Sequence, residues 1–143
     1  MERNRRPISR NTKTKNGIKK KKRIKTSSAK AKGRTLQQWV CLKISDLLDI
    51  PWGKDELIAS REMGQSGTDV RLIGEAQKRF PFSVECKCQE TWSFPAWIIQ
   101  ARSNQRKGTD WLLIVNKNYY APIVTMDAVR FFELLGKVID NEY

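Results

Sequence analysis

Residues 82–88 read Phe-Ser-Val-Glu-Cys-Lys-Cys, and this segment has the composition and the alternation of a β-strand. Successive side chains of a strand point to opposite faces, so Glu85 and Lys87 share one face, with their Cα atoms about 6.6 Å apart. The residues between and beside them point the other way: Val84, Cys86 and Cys88. Because small thiols suit a packed core, the pattern predicts one core face and one face that carries an acid and a base.

One helix and two strands are predicted upstream of this strand. Residues 35–48 have apolar side chains near every third or fourth position, which predicts a helix with Thr35 as its N-cap. Residues 56–63 and 69–73 are predicted strands, and the turn-forming segment 64–67 separates them. The helix, the hairpin and the central strand give the order α-β-β-β.

The downstream segment continues the alternation of helices and strands. Pro95 is positioned to start a helix over residues 96–104, and the continuous apolar run 111–115 predicts a strand that is buried on both faces. A strand over 120–125 and a final helix, capped by Asp127 or Thr125, complete the chain. The final helix is expected to turn four residues toward the core: Val129, Phe132, Leu135 and Val138. This order predicts an α/β fold with a mixed central sheet flanked by helices.

The charge is concentrated at the N-terminus. The 143 residues include 28 Lys and Arg against 15 Asp and Glu, a net charge of +13. Residues 1–33 hold 14 of the basic residues and one acid, whereas residues 34–143 are neutral. We therefore predict a disordered basic arm over 1–33 and one folded domain over 34–143. The arm is expected to bind a polyanion, and a solubilising tail or a targeting address are the alternatives. Its densest basic run is Lys19, Lys20, Lys21, Lys22 and Arg23.

The composition excludes several classes of protein. There is no histidine, which removes Ser-His-Asp hydrolases and histidine-ligated metal sites. Three cysteines suggest no disulfide framework, favour the reducing cytoplasm and are too few for a zinc site. No apolar run is long enough to span a membrane. Any hydrolytic chemistry must therefore come from carboxylates, lysine, cysteine and a bound metal ion.

A second acidic side chain could lie next to the strand that carries Glu85 and Lys87. Asp69 follows the turn segment 64–67 at the start of a predicted strand, so adjacent strands could present Asp69 and Glu85 side by side. Two neighbouring carboxylates repel unless a divalent cation neutralises them, and oxygen ligands favour Mg²⁺ or Mn²⁺. The Cys86 carbonyl could add a ligand, and Lys87 could stabilise developing charge. The alternatives are a solvated ion pair at residues 85 and 87 and a turn acid at 69.

These residues resemble the PD-(D/E)xK nuclease superfamily, with Gln100 on the following helix as a fourth element of the pattern. Segments 63–70 and 80–87 are similar to those of phage and archaeal-type Holliday junction resolvases and related small phage endonucleases. The resemblance implies a restriction-endonuclease-like α-β-β-β-α-β core and Mg²⁺-dependent DNA cleavage. It implies that Asp69 and Glu85 bind the metal and that Lys87 orients water or stabilises charge. Where resolvases often carry a glutamate on the first helix, this chain has Gln37 and Gln38.

The expected function is therefore a metal-dependent endonuclease that cuts branched DNA in phage recombination or DNA processing, in the host cytoplasm if the protein is phage-encoded. Paired incisions in a symmetric junction favour a homodimer. Arg102, Arg106 and Lys107 are further candidates for phosphate contact. Trp92, Phe94 and Trp97 could serve the core, an interface or base stacking. The alternatives are a restriction-like or repair nuclease of the same superfamily and a non-catalytic basic nucleic-acid-binding protein.

Overall fold

The computed structural model describes residues 26–62 and 64–142. Helices and strands alternate along most of this part of the chain. In order they are α1 (Thr26–Leu48), β1 (Ile58–Ser60), β2 (Val70–Leu72), α2 (Gly74–Arg79), β3 (Phe82–Cys88), α3 (Phe94–Ser103), β4 (Asp110–Asn116), β5 (Ile123–Thr125) and α4 (Ala128–Asn141).

The sheet is small and mixed. β3 pairs in parallel with β4, and β4 pairs antiparallel with β5. β1 and β2 form a separate antiparallel hairpin, which is linked to β3 by the backbone N–H of Asp69 donating to the Val84 carbonyl at 3.0 Å. The predicted α/β class with a mixed sheet is confirmed.

Helices cover both faces of this sheet. α1 packs its apolar face, including Val40 and Ile44, on Val84 and Leu112. On the opposite face, Trp97 and Ala101 of α3 pack with the alternate residues of β4: Trp111, Leu113 and Val115. The β4 run is buried on both sides, as a continuous apolar strand requires.

Most predicted elements are present with changed ends. β3 has the predicted bounds, β4 is one residue longer at each end, and α3 begins at Phe94 with Pro95 in its first turn. The strands predicted over 56–63, 69–73 and 120–125 are reduced to three residues each. The short helix α2 lies where no element was predicted.

The first helix starts earlier than expected. α1 begins at Thr26, so the predicted N-cap at Thr35 is wrong: Thr35 lies inside the helix, and its hydroxyl donates to the Ala31 carbonyl at 2.9 Å. Alanine and lysine, which fill residues 29–32, favour this extension. The part of the predicted arm over 26–33 is thus helical. Residues 1–25, with the basic run 19–23, lie outside the described residues.

The last helix does not face the core. The prediction that Val129, Phe132, Leu135 and Val138 point inward is wrong, since these side chains are 41–69% exposed and α4 has no buried residue. The physical reason is that α1 and α3 already cover the two faces of the sheet. Asp127 is the N-cap residue, without a side-chain capping bond, and Thr125 ends β5.

Arg130 links α4 to the domain. Its guanidinium pairs with Asp110 at 2.7 Å and lies 6.0 Å from the centre of the Phe82 ring. Within residues 26–62 and 64–142, no helix is long and apolar enough to cross a membrane.

Candidate functional site

Asp69 is fixed against β3 by two hydrogen bonds. It lies directly before β2, and its backbone N–H donates to the Val84 carbonyl. Its carboxylate Oδ2 accepts a hydrogen bond from the Cys86 N–H at 2.7 Å. Both partners flank Glu85 in the sequence of β3. The Asp69 carboxylate is therefore held beside the Glu85 side chain.

The turn before Asp69 depends on a glycine and an arginine. Gly67 has φ +99°, and a Cβ at this position would lie 3.2 Å from the Arg61 guanidinium. That guanidinium donates through Nε to the Thr68 carbonyl, and the Arg61 N–H donates to the Asp69 carbonyl at 2.8 Å. Arg61 thus braces the turn that delivers Asp69 to β3.

Glu85 is a buried acid, with 1% of its surface exposed. Its Oε1 accepts a hydrogen bond from the Asn104 side-chain amide at 2.7 Å. Burial is the largest cause that raises the pKa of Glu85, which reaches about 7, and the charge of Asp69 and a hydrogen bond between the two carboxyl groups raise it further. The Asn104 hydrogen bond and the charge of Lys87 act in the opposite direction. Glu85 and Asp69 therefore share a site in which one carboxyl group readily keeps a proton.

Lys87 lies two residues beyond Glu85 on the same face of β3 and is partly exposed. Its positive charge lowers the pKa of Glu85, so the ammonium group acts on the same site as the two acids. Because the side chain is also open to solvent, it could meet an incoming anion such as a phosphate.

The donor set fits a hard divalent cation. Mg²⁺ is commonly held by one or two carboxylates and keeps several waters, which two adjacent acids can provide. The N–H and C=O of one strand residue point the same way, so the Cys86 carbonyl points to the edge of β3 where Asp69 lies. In the described ranges, no group of three or more His, Cys, Asp or Glu side chains could hold a metal ion. Two carboxylates and a carbonyl are the available oxygen ligands.

The cysteines do not contribute thiolates. Burial raises the pKa of Cys41 to about 12 and raises that of Cys86 well above its ordinary value. Both side chains are buried in the core between α1 and the sheet. They remain protonated thiols at neutral pH, whereas the thiolate is the form that binds metal ions.

The helix after β3, α3, brings Asn104 to the site, a residue that was not predicted from the sequence. Gln100 is exposed, and no hydrogen bond joins its side chain to another described residue. Asn104 lies one turn further along, at the C-cap of α3, and is the residue that bonds to Glu85. A polar residue four positions after Gln100 was the available signal, because positions i and i+4 share a helix face.

The two glutamines of α1 have separate surroundings. Gln37 is buried, and its Oε1 accepts a hydrogen bond from the Ser60 hydroxyl at 2.8 Å. Gln38 is exposed and lines a cavity of about 560 Å³ beside the hairpin. The basic side chains that line this cavity are Arg34, Lys54, Arg61 and Arg71. Arg61, which also braces the turn before Asp69, is the residue that this cavity and that turn share.

The other predicted DNA-contacting residues differ in their contacts. Arg106 is exposed, but its Nη1 donates to the Leu72 carbonyl at 2.7 Å, which ties the loop after α3 to β2. The Arg102 guanidinium lies 5.6 Å from the centre of the Trp111 ring. Lys107 is exposed. The run Lys19 to Arg23 lies outside the described residues.

The aromatic residues after β3 pack together. Trp97 is buried, and Trp92 and Phe94 pack against its cluster. The Trp92 and Phe94 rings meet edge to face with centroids 5.6 Å apart. Of the three expectations for these residues, the core role is the one that their contacts match.

Comparisons with models of protein families, with curated proteins and with solved structures find no match to this chain.

Proposed function

We propose that this protein is a metal-dependent endonuclease that hydrolyses phosphodiester bonds in branched or structured DNA. The observation that carries the proposal is the hydrogen bond from the Cys86 N–H to the Asp69 carboxylate, which holds this carboxylate next to buried Glu85 on the strand that also carries Lys87. A buried acid with a raised pKa, a second acid and a lysine form the kind of cluster that a purely structural ion pair does not need. Apart from the short helix α2, the order α1-β1-β2-β3-α3-β4 follows the α-β-β-β-α-β core of the PD-(D/E)xK superfamily and supports membership of it.

The chemistry follows from the donor set. Mg²⁺ or Mn²⁺ at such a site would polarise a phosphoryl oxygen and lower the pKa of a bound water. Asp69 and Glu85 would hold the ion, together with the Cys86 carbonyl. Lys87 would stabilise the negative charge that grows on the phosphate. Asn104 positions the Glu85 carboxylate through its hydrogen bond.

The substrate class follows from the basic residues. The 14 Lys and Arg of residues 1–33 favour a polyanion, and phosphate contacts orient DNA without reading its sequence. The cavity lined by Arg34, Arg61 and Arg71 offers guanidinium groups with which a backbone phosphate could pair. Cutting a symmetric junction at two strands favours a homodimer.

The test is a cleavage assay on four-way junction, three-way junction, flap and linear duplex DNA, with and without Mg²⁺. We expect Mg²⁺-dependent products from a branched substrate. Asp69→Asn, Glu85→Gln and Lys87→Ala should each reduce cleavage by at least about 100-fold while junction binding remains. Glu90→Gln is the matched control, since Glu90 is an exposed acid near the end of the same strand.

Two results would overturn this assignment. Undiminished Mg²⁺-dependent cleavage by the Glu85→Gln protein would remove the metal-site argument. Salt-sensitive DNA binding without any products would favour a non-catalytic nucleic-acid-binding protein. Preferred cleavage of linear duplex would instead indicate a restriction-like or repair nuclease with the same site.

A further inference from the structure

The outward side of α4 is apolar and uncovered. Large hydrophobic residues occupy the positions of one broad helix face. We call it the α4 face, and it consists of Val129, Phe131, Phe132, Leu135, Val138 and Ile139. Each of these side chains is 41–69% exposed, and no charged residue lies among them on the central part of this face.

Arg130 attaches α4 to the domain from the side of the helix opposite the α4 face. Arg130, which pairs with Asp110, lies five residues before Leu135 and hence about 140° around the helix. Glu133 and Lys137 lie about 160° from Leu135. The charged side of α4 therefore points toward or along the domain, and the α4 face points away from it.

The size of the α4 face matches a protein interface. Six large side chains that are about half exposed offer on the order of 500 Å², near the upper end of the apolar patches that monomers expose. Two such faces packed together would bury about 1,000 Å², the lower size for a specific interface. Phosphates are not attracted to an uncharged face, so DNA is a poor occupant.

We propose that a second copy of this chain covers the α4 face, with two α4 helices packed antiparallel about a twofold axis at Leu135. The face is complementary to itself in this arrangement: Phe132 lies beside Ile139 of the second copy, and Phe131 beside Val138, so that each aromatic ring meets a β-branched side chain. Twofold symmetry makes both halves of the interface identical.

This inference gives the proposed homodimer its surface, and to that extent it rests on the proposed function. Its basis is the exposed helix alone, so it does not depend on cleavage. A protein that cuts no DNA could still dimerise through α4, and an active nuclease could dimerise elsewhere.

The first measurement is the mass of the 143-residue chain in solution by sedimentation velocity, from about 1 to 100 µM. We expect a dimer. Phe132→Glu should raise the dimer Kd by at least about 30-fold, because each dimer would bury two unpaired carboxylates. Leu47→Glu is the matched control, since Leu47 on α1 and Phe132 are both 68% exposed. A monomeric wild-type chain, or a dimer that is unchanged by Phe132→Glu, would overturn the proposal.

Cross-linking tests the register independently of any effect on folding. In a Cys88→Ser background, which leaves Cys41 and Cys86 buried, a short bis-maleimide should join Leu135→Cys chains at the twofold axis. Glu133→Cys, on the opposite side of α4, should cross-link poorly. Equal yields at both positions would contradict the antiparallel packing. Junction cleavage by the Phe132→Glu protein is measured as well, so that a failure of the proposed interface can be distinguished from a failure of the proposed chemistry.

Discussion

The side chain of Glu85 is almost fully removed from solvent, yet it lies beside another carboxyl group. Burial and the charge of Asp69 favour its protonated form, and Asn104 and Lys87 favour its ionised form. The balance leaves a pKa of about 7, so the carboxyl group can change its protonation state near neutral pH. A divalent cation favours the ionised form and would offset the repulsion between the acids.

This raised pKa predicts a pH dependence of stability. The folded protein holds the Glu85 proton more tightly than the unfolded chain, so the resulting stability is complete below pH 4.5 and is lost as the pH rises through about 7. Without metal ions, we expect Glu85 to contribute a fall in the unfolding free energy on the order of 3 kcal/mol over this interval. Glu85→Gln should remove that contribution, which urea unfolding at several pH values measures.

Magnesium provides a second arm of the same experiment. Mg²⁺ at pH 8 should stabilise the wild-type protein and should have little effect on the Glu85→Gln protein, because binding to the folded state alone shifts the equilibrium. Identical pH profiles for the two proteins would show that Glu85 does not titrate as described.

At the scale of the elements, local patterns predicted β3 and β4 because their signals are complete within seven residues. Alternation defines one strand, and an uninterrupted apolar run defines the other. The direction of α4 could not be predicted in this way. Its amphipathic pattern shows that it has an apolar side, but whether that side meets the sheet depends on α1 and α3 having already covered both faces.

The candidate site likewise has a part that local patterns predict and a part that depends on packing. The alternation of side chains along β3 and the turn before Asp69 were sufficient to expect an aspartate, a glutamate and a lysine in one region. The hydrogen bond from Asn104 depends on how α3 docks on the sheet, which no local pattern contains. Gln100 has the expected position along the helix, but its side chain is exposed.

The turn between β1 and β2 makes a further prediction about stability. Gly67→Ala should destabilise the protein by about 1–2 kcal/mol, because φ is positive there and the new methyl group would displace Arg61. Gly33→Ala is the opposite control: Gly33 lies inside α1 with no atom within 4 Å of an added Cβ, so the change should stabilise by about 0.5–1 kcal/mol. Thermal unfolding measures both. If Gly67→Ala left the stability of the protein unchanged, this result would contradict the described turn.

For the whole molecule, the separation of charge from the neutral domain determines how DNA binding should respond to salt. Each phosphate contact contributes about 0.9 to the slope of log K against log salt. Replacing Lys19, Lys20, Lys21, Lys22 and Arg23 by Gln should reduce that slope by up to about 4.5 if all five bind phosphates. Filter binding at several salt concentrations measures it.

A single exposed lysine of α4 supplies the comparison for this measurement. Lys137→Gln removes one positive charge on the side of α4 away from the proposed interface and should leave the slope nearly unchanged. If Lys137→Gln reduced the slope as much, per charge removed, as the five N-terminal substitutions do, overall charge rather than the N-terminal run would control binding.

The position of Asp69 has a consequence for how this chain can diverge. Its carboxylate caps an N–H of β3, so the residue serves the architecture whether or not any reaction takes place. If the proposed cleavage were lost in a descendant, a hydrogen-bond acceptor at position 69 would still be selected, whereas Lys87 would be free to change. On that proposal, an asparagine at 69 together with a substituted Lys87 would mark a lineage that has kept the scaffold without the reaction.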